Sequence, residues 1–189
     1  MAKRAFDLVL SALALLLLAP LLAVIALWIR FDSPGPVFFR QERVGLHGRP
    51  FRIHKFRTMV HGAAGLPLTV GADARITRAG AWLRRSKFDE LPQLIDVLAG
   101  DMSIVGPRPE RPEFVEQLKE IIPYYSERHL VKPGVTGWAQ VNYPYGASVE
   151  DAIEKLRYDL YYLKNFSIQL DVMIILETVK VVFNQRGGR

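Results

Sequence analysis

Leu8 to Ile29 is a run of 22 residues without a charge, relieved only by Ser11 and Pro20. That length can span a bilayer core. Lys3 and Arg4 precede it, and Arg30, Arg40 and Arg43 follow. A cleaved leader suits the basic start, but Asp7 and the ten apolar residues after Ala19 do not. A helix that crosses a bilayer usually carries its basic residues on one side. Pro20 removes a backbone donor in mid-segment and tends to kink a helix. A segment kinked there and returning to the face it entered would put both basic flanks in one compartment. The residues alone leave this reading beside single-pass crossing.

Beyond the anchor the pattern changes period. Asp32-Ser33-Pro34-Gly35-Pro36 is a turn-rich exit. Val37–Gln41 and Phe51–Phe56 read as two strands, with Gly45-Leu46-His47-Gly48 as the hairpin turn. Residues 60–74 show no periodicity and read as a loop. Arg75 to Arg85 reads as a short basic helix with Ile76, Ala79, Trp82 and Leu83 on one side. A second helix is expected over roughly 90–99, with Pro92 in its first turn and Gly100 as its stop. A short apolar piece then ends in Gly106-Pro107-Arg108-Pro109-Glu110, and Pro112 opens an amphipathic helix to Ile122. Lys132 to Val141 reads as a Gly/Pro-punctuated loop leading into an extended segment. Ser148-Val149-Glu150-Asp151 opens a helix to about Leu163 with capping-box spacing. Ser167 caps a last, strongly apolar helix from Ile168 to about Phe183. That helix suits the core, a membrane surface or a second copy of the chain, so a homo-oligomer stays open. The fold class expected is α+β: a mostly helical domain with a small β-hairpin on an N-terminal, Pro-broken membrane anchor. The division expected is anchor 1–32 and a main domain 33–189, the latter with amphipathic membrane-surface helices.

Charge narrows the chemistry. The net charge is +6, which suits nucleic acid, an anionic membrane face or phosphorylated substrates. There is no cysteine, which removes disulfide and thiolate chemistry, and the four histidines show no metal-ligand spacing.

The polar groups recur in type. Arg43 stands before Gly45, and Arg108 stands between two prolines that limit its backbone freedom. A guanidinium fork matches phosphate oxygens in pairs. Asp89 and Glu90 follow Arg84, Arg85 and Lys87 and precede Pro92, so the expected helix would hold two carboxylates at its positive end. Asp101, Asp159 and Asp171 add further carboxylates. Magnesium takes hard oxygen ligands, usually one or two carboxylates with substrate phosphates. A carboxylate can also attack phosphorus itself. A basic surface beside a membrane anchor thus fits a phosphorylated soluble substrate meeting a lipid one.

The motifs occur in a recognisable order. They are the Lys-Arg-preceded, Pro-broken apolar segment; Phe39-Arg40-Gln41-Glu42-Arg43-Val44-Gly45; Lys55-Phe56-Arg57-Thr58-Met59; and Asp89-Glu90-Leu91-Pro92-Gln93-Leu94. Gly100 to Pro109, Lys132 to Trp138, Tyr158-Asp159-Leu160-Tyr161-Tyr162 and Leu170-Asp171 complete the set. Together they resemble the bacterial sugar transferase family, the monotopic phosphoglycosyl transferases. The resemblance implies that Asp89 attacks the β-phosphorus of a UDP-hexose, releases UMP, and passes sugar-1-phosphate to undecaprenyl phosphate. It implies Mg²⁺ as cofactor, with Asp89 and Asp171 as metal ligands and Glu90 as the second catalytic carboxylate. Arg108 is the first choice for binding phosphate, followed by Arg84, Arg85, Arg43 and Arg57. The resemblance also implies a re-entrant anchor in the bacterial inner membrane with the catalytic domain in the cytoplasm. Its partners would be UDP-hexose, undecaprenyl phosphate and membrane lipids, and not nucleic acid. The family's helix break is commonly Ser-Pro; here it is Ala19-Pro20. Trp138 to Glu150 looks most like the exopolysaccharide branch, which points to glucose or galactose. Many long members carry further helices and a domain ahead of this unit, so the chain is expected to be a short natural form or a catalytic fragment. The rival reading is a membrane-anchored binding module for anionic partners, nucleic acid or lipid head groups, with structural carboxylates.

Overall fold

The computed structural model describes residues 2–63, 73–144, 146 and 148–183. Residues 64–72 of the expected loop, and Tyr145 and Ala147 of the Trp138–Glu150 stretch, lie outside the described residues.

The apolar run forms one 31-residue helix, α1 (Ala2–Asp32), with Pro20 inside it. The expected break does not interrupt the helix. It is the one described helix long and apolar enough to cross a membrane by length and composition. Leu13, Leu16, Leu17, Val24 and Leu27 along it are exposed. Each end carries buried positions as well. Near the N-terminus Asp7 and Ser11 are buried, and near the C-terminus Ile25 and Ile29 are. The first end packs along α3 (Gln93–Ala99), where Arg4 donates to the carbonyls of Val97 (2.5 Å) and Leu98 (2.9 Å). A cation there satisfies carbonyls that a helix C-terminus leaves without partners. The second end packs Ile25 and Ile29 against Phe56, Ala79 and Leu83.

The hairpin is β1 (Phe38–Val44) with β2 (Pro50–Phe56), antiparallel, Phe38 opposite Phe56 and Val44 opposite Pro50. His47 (φ 55°) and Gly48 (φ 75°) take left-handed backbone in the turn. Next comes α2 (Arg78–Ser86), shorter than expected. Thr77 caps it through Gly80 N, while Ile76 pairs with Met59 in an isolated bridge and Arg75 ties to Asp73. Of the face expected on this helix, Ala79 and Leu83 are buried, whereas Trp82 is exposed against Trp28 and Phe88.

Two short strands, β3 (Ser103–Val105) and β4 (Gly134–Thr136), pair in parallel. Between them lies α4 (Pro112–Ile121) and a 3₁₀ turn, Tyr125–Leu130. After Thr136 the chain turns helical rather than extended, as α5 (Trp138–Asn142). The chain closes with α6 (Val149–Lys164), whose Ser148–Asp151 capping box forms, and α7 (Ile168–Phe183), whose Leu170 N–H bonds Ser167 Oγ. The main core joins Ile53, Val97, Met102, Val105, Tyr162 and Ile174. The whole is α+β, mostly helical, with two small sheets.

Candidate active site

Asp89 and Glu90 do not open a helix. Lys87 adopts φ 63° and ends α2, and Phe88–Glu90 forms a single 3₁₀ turn. Pro92 (φ −61°) is the cap residue, and α3 starts at Gln93. The two carboxylates therefore stand one turn ahead of α3, and the turn aims them differently.

Glu90 is held on both oxygens. Lys55 Nζ donates to Oε1 at 2.6 Å, and Arg108 donates to Oε1 at 2.6 Å and Oε2 at 3.0 Å. Burial works against its charge, yet Arg108 and Lys55 outweigh it and hold the carboxyl well below the usual range. Asp89 has no hydrogen-bond or ion-pair partner among the described residues. Burial first, and then the neighbouring Glu90 charge, push its carboxyl up; Lys55, Arg108 and Lys87 oppose them. One carboxylate is locked as an anion. The other keeps its lone pairs available and has a raised proton affinity, as suits a nucleophile.

Arg43 reaches the same place from β1. It donates to the Pro109 carbonyl (3.2 Å) and Gln41 (2.7 Å) and lies 3.8 Å from Glu110. With Ile53, Lys55, Gln93, Arg108 and Pro109 it lines a cavity of about 10 Å³, the room of one water. The structure thus brings Asp89, Glu90, Arg108 and Arg43 together and adds Lys55 and Gln93, which sequence reasoning did not choose. Lys55 had a signal, its place at the head of the Lys-Phe-Arg-Thr-Met motif. Gln93, buried at the start of α3, had the Leu-Pro-Gln motif.

Two expected site residues belong elsewhere. Arg57 is buried, and its guanidinium donates to the carbonyls of Ile29 (3.3 Å), Ser33 (2.7 Å) and Pro34. It clamps the C-terminal end of α1 and has no fork left for phosphate. Asp171 is fully buried against Lys3 (2.8 Å) and the Tyr162 hydroxyl (2.8 Å). It fixes the root of α1 and does not join Asp89 as a metal ligand. Arg84 donates to the Thr58 hydroxyl (2.9 Å), and Arg85 is exposed on the same helix.

The donor set fits magnesium in one way. No cluster of three potential ligands occurs among the described residues, and both Glu90 oxygens are taken. Of the two, Asp89 alone keeps its oxygens for a metal, and a single carboxylate would fit an ion that arrives bound to substrate phosphates.

The bacterial sugar transferase family matches residues 1–185, and the chain belongs to that family. It is 44% identical to the UDP-N-acetylgalactosamine-undecaprenyl-phosphate N-acetylgalactosaminephosphotransferase of Aeromonas hydrophila, over 99% of this chain and 45% of that protein. It is 46% identical to the UDP-glucose:undecaprenyl-phosphate glucose-1-phosphate transferase of Xanthomonas campestris pv. campestris, over 98% of this chain and 39% of that one. The exopolysaccharide production protein PSS of Rhizobium leguminosarum bv. phaseoli is 46% identical over 94% of this chain and 92% of its own length. The chain therefore spans less than half of the first two relatives and nearly all of the third.

Proposed function

We propose that this protein transfers hexose-1-phosphate from a UDP-sugar to undecaprenyl phosphate through a covalent aspartyl intermediate. One observation carries the reading: of two adjacent carboxylates, Glu90 is saturated by Arg108 and Lys55, and Asp89 is left without a partner among the described residues. In the first step an Asp89 oxygen attacks the β-phosphorus. The bond from that phosphorus to the bridging oxygen breaks, and UMP leaves with the bridging oxygen. In the second step an oxygen of the lipid phosphate attacks the same phosphorus, the bond to Asp89 breaks, and the carboxylate is restored. Undecaprenyl diphosphate-sugar is the product. Arg108, Lys55 and Arg43 supply positive charge where the diphosphate must lie. Glu90 holds Arg108 and Lys55 in place as their counter-ion. Magnesium, held by Asp89 together with the phosphates, would neutralise diphosphate charge and leave phosphorus open to attack.

The sugar stays at the level of a hexose. Two relatives of nearly equal identity are named for different sugars, N-acetylgalactosamine and glucose. The exopolysaccharide-like stretch after Trp138 favours glucose or galactose.

For the anchor, the reading is re-entrant, in the inner membrane with the catalytic domain in the cytoplasm. Ser11 and Ile25, contacts of its two ends, are separated by roughly 20 Å of helix at 1.5 Å per residue. A helix standing across a bilayer would carry its far end away from the domain, whereas both ends of α1 pack on it. A cysteine placed at residue 5 or residue 33 is expected to react only from the cytoplasmic side; labelling of one end from outside would establish a crossing helix.

The test of activity is UMP release from a panel of UDP-sugars with Mg²⁺ and undecaprenyl phosphate. One sugar is expected to give lipid-linked product. Absence of UMP release with every sugar would favour the binding-module reading.

A further inference from the structure

The loop that presents Arg108 cannot order itself. Pro107 and Pro109 have no N–H, so Gly106–Glu110 is held largely through its carbonyls. They are caught from two strands, β4 and β1. Gly134 N–H bonds the Pro107 carbonyl (2.9 Å), Arg43 the Pro109 carbonyl (3.2 Å) and Val44 N–H the Glu110 carbonyl (2.9 Å). The carbonyl of Arg108 itself accepts from Arg128 Nη2 at 2.9 Å. The approach is tight: a Cβ on Gly106 would stand 2.3 Å from the Lys132 carbonyl oxygen.

Arg128 is itself immobilised. It is 6% exposed, in the 3₁₀ turn before β4. Its Nε and Nη2 lie 3.0 and 2.8 Å from Asp159 Oδ2, and Nη1 donates to the Tyr125 hydroxyl at 2.7 Å. The guanidinium also lies over the Tyr125 ring, 5.1 Å from its centre. Asp159 and Tyr125 are 1% and 2% exposed. A buried ion pair is weak as a stabilising device, since apolar residues of equal volume often do as well. What apolar packing cannot supply is a rigid donor pointed at the backbone of Arg108.

We propose that Arg128, oriented by Asp159 and Tyr125, is a positioning residue for sugar-phosphate transfer: it fixes Arg108 so that the guanidinium meets Glu90 and the substrate phosphates. The proposal rests on the transferase reading, in which Arg108 acts at the phosphates. Arg128 and Asp159 touch neither substrate nor the reacting atoms. They act through one carbonyl, and their effect passes through Arg108 alone.

That gives the experiment its form, a double-mutant cycle on the full chain in membranes, read as UMP release with Mg²⁺ and lipid phosphate. Arg128→Lys keeps the charge beside Asp159 but not the fork. It is expected to lower kcat by about tenfold to a hundredfold with KM for the UDP-sugar little changed, the scale of a displacement of about 1 Å. In an Arg108→Lys background the same change is expected to cost less than about twofold. If Arg128→Lys costs the same factor in both backgrounds, Arg128 does not act through Arg108 and the proposal falls. Tyr125→Phe removes only the hydroxyl that orients Nη1 and serves should Arg128→Lys fail to fold. Its smaller loss in kcat is likewise expected to vanish in the Arg108→Lys background, and persistence there overturns the proposal. Failure of the transferase reading would look different: the parent protein would release no UMP, or would release it equally well as Asp89→Asn.

Discussion

The two ends of α3 carry carboxylates and cations in similar numbers, and they differ in one respect. At the far end, Asp7 accepts from Lys3 (3.0 Å), Ser103 (2.9 Å) and the Ile104 N–H (3.2 Å). Asp171 there is shared between Lys3 and Tyr162. Each carboxylate is partnered, and the cluster binds the root of the anchor to the domain. At the near end, Glu90 is equally closed, but Asp89 beside it has no partner among the described residues. Closed clusters make structure. Of these four carboxylates Asp89 alone has no partner among the described residues, and with Lys55, Arg108 and Lys87 around it, that is where chemistry is expected.

The largest effect expected from this contrast is at Asp89. Asp89→Asn should cut UMP release by about a thousandfold or more, as removal of a nucleophile does. It should leave thermal stability nearly unchanged, because no described partner is lost. A melting midpoint well below that of the parent protein would mean that Asp89 is structural. At the closed end the opposite is expected. Asp171→Asn removes one of the two counter-ions of the partly buried Lys3 ammonium and leaves only Asp7, a loss of roughly 3 kcal/mol. Denaturation in detergent would measure it, while UMP release per folded molecule stays close to that of the parent.

Acid should also act on a closed region. His129 is buried beside Arg128, and burial first, then the Arg128 and Lys119 charges, lower it from 6.5 to about 4. Below pH 6.5 the unfolded chain binds a proton that the folded chain does not, so stability is full above that value and falls as pH drops towards 4. The loss is roughly 2–3 kcal/mol across that window. His129→Gln should flatten the curve, and an unchanged slope would place the titration elsewhere. The smallest effect is at the other end of α1. Arg57→Lys loses part of the fork that holds the Ile29, Ser33 and Pro34 carbonyls, for about 1–2 kcal/mol, with UMP release per folded molecule unchanged. A selective rise in KM for the UDP-sugar would return Arg57 to the phosphate site.

Much of this was legible in the chain because it is local. The 22-residue apolar run, the hairpin turn at Gly45–Gly48, the Ser148 capping box and the prolines around Arg108 each report on their immediate neighbours. What was not legible is pairing over distance. Lys55 meets Glu90 across 35 residues and Arg128 meets Asp159 across 31. Arg57 and Asp171 sit in motifs of the same ordered set as those of Arg108 and Asp89. Residue type and order do not say whether a charge faces substrate or closes a helix end. The helix expected over roughly 90–99 forms and stops at Gly100, but it starts later for a local reason: after the left-handed Lys87, Phe88–Glu90 takes a 3₁₀ turn, and α3 begins after Pro92.

The central claim, that Asp89 carries the sugar phosphate, is tested most directly by mass spectrometry of the protein incubated with UDP-sugar and Mg²⁺ without lipid acceptor. One hexose-phosphate per chain is expected, on the peptide containing Asp89, released when undecaprenyl phosphate is added and absent from Asp89→Asn. An unmodified Asp89 peptide under conditions where UMP is released in step with enzyme would contradict the account.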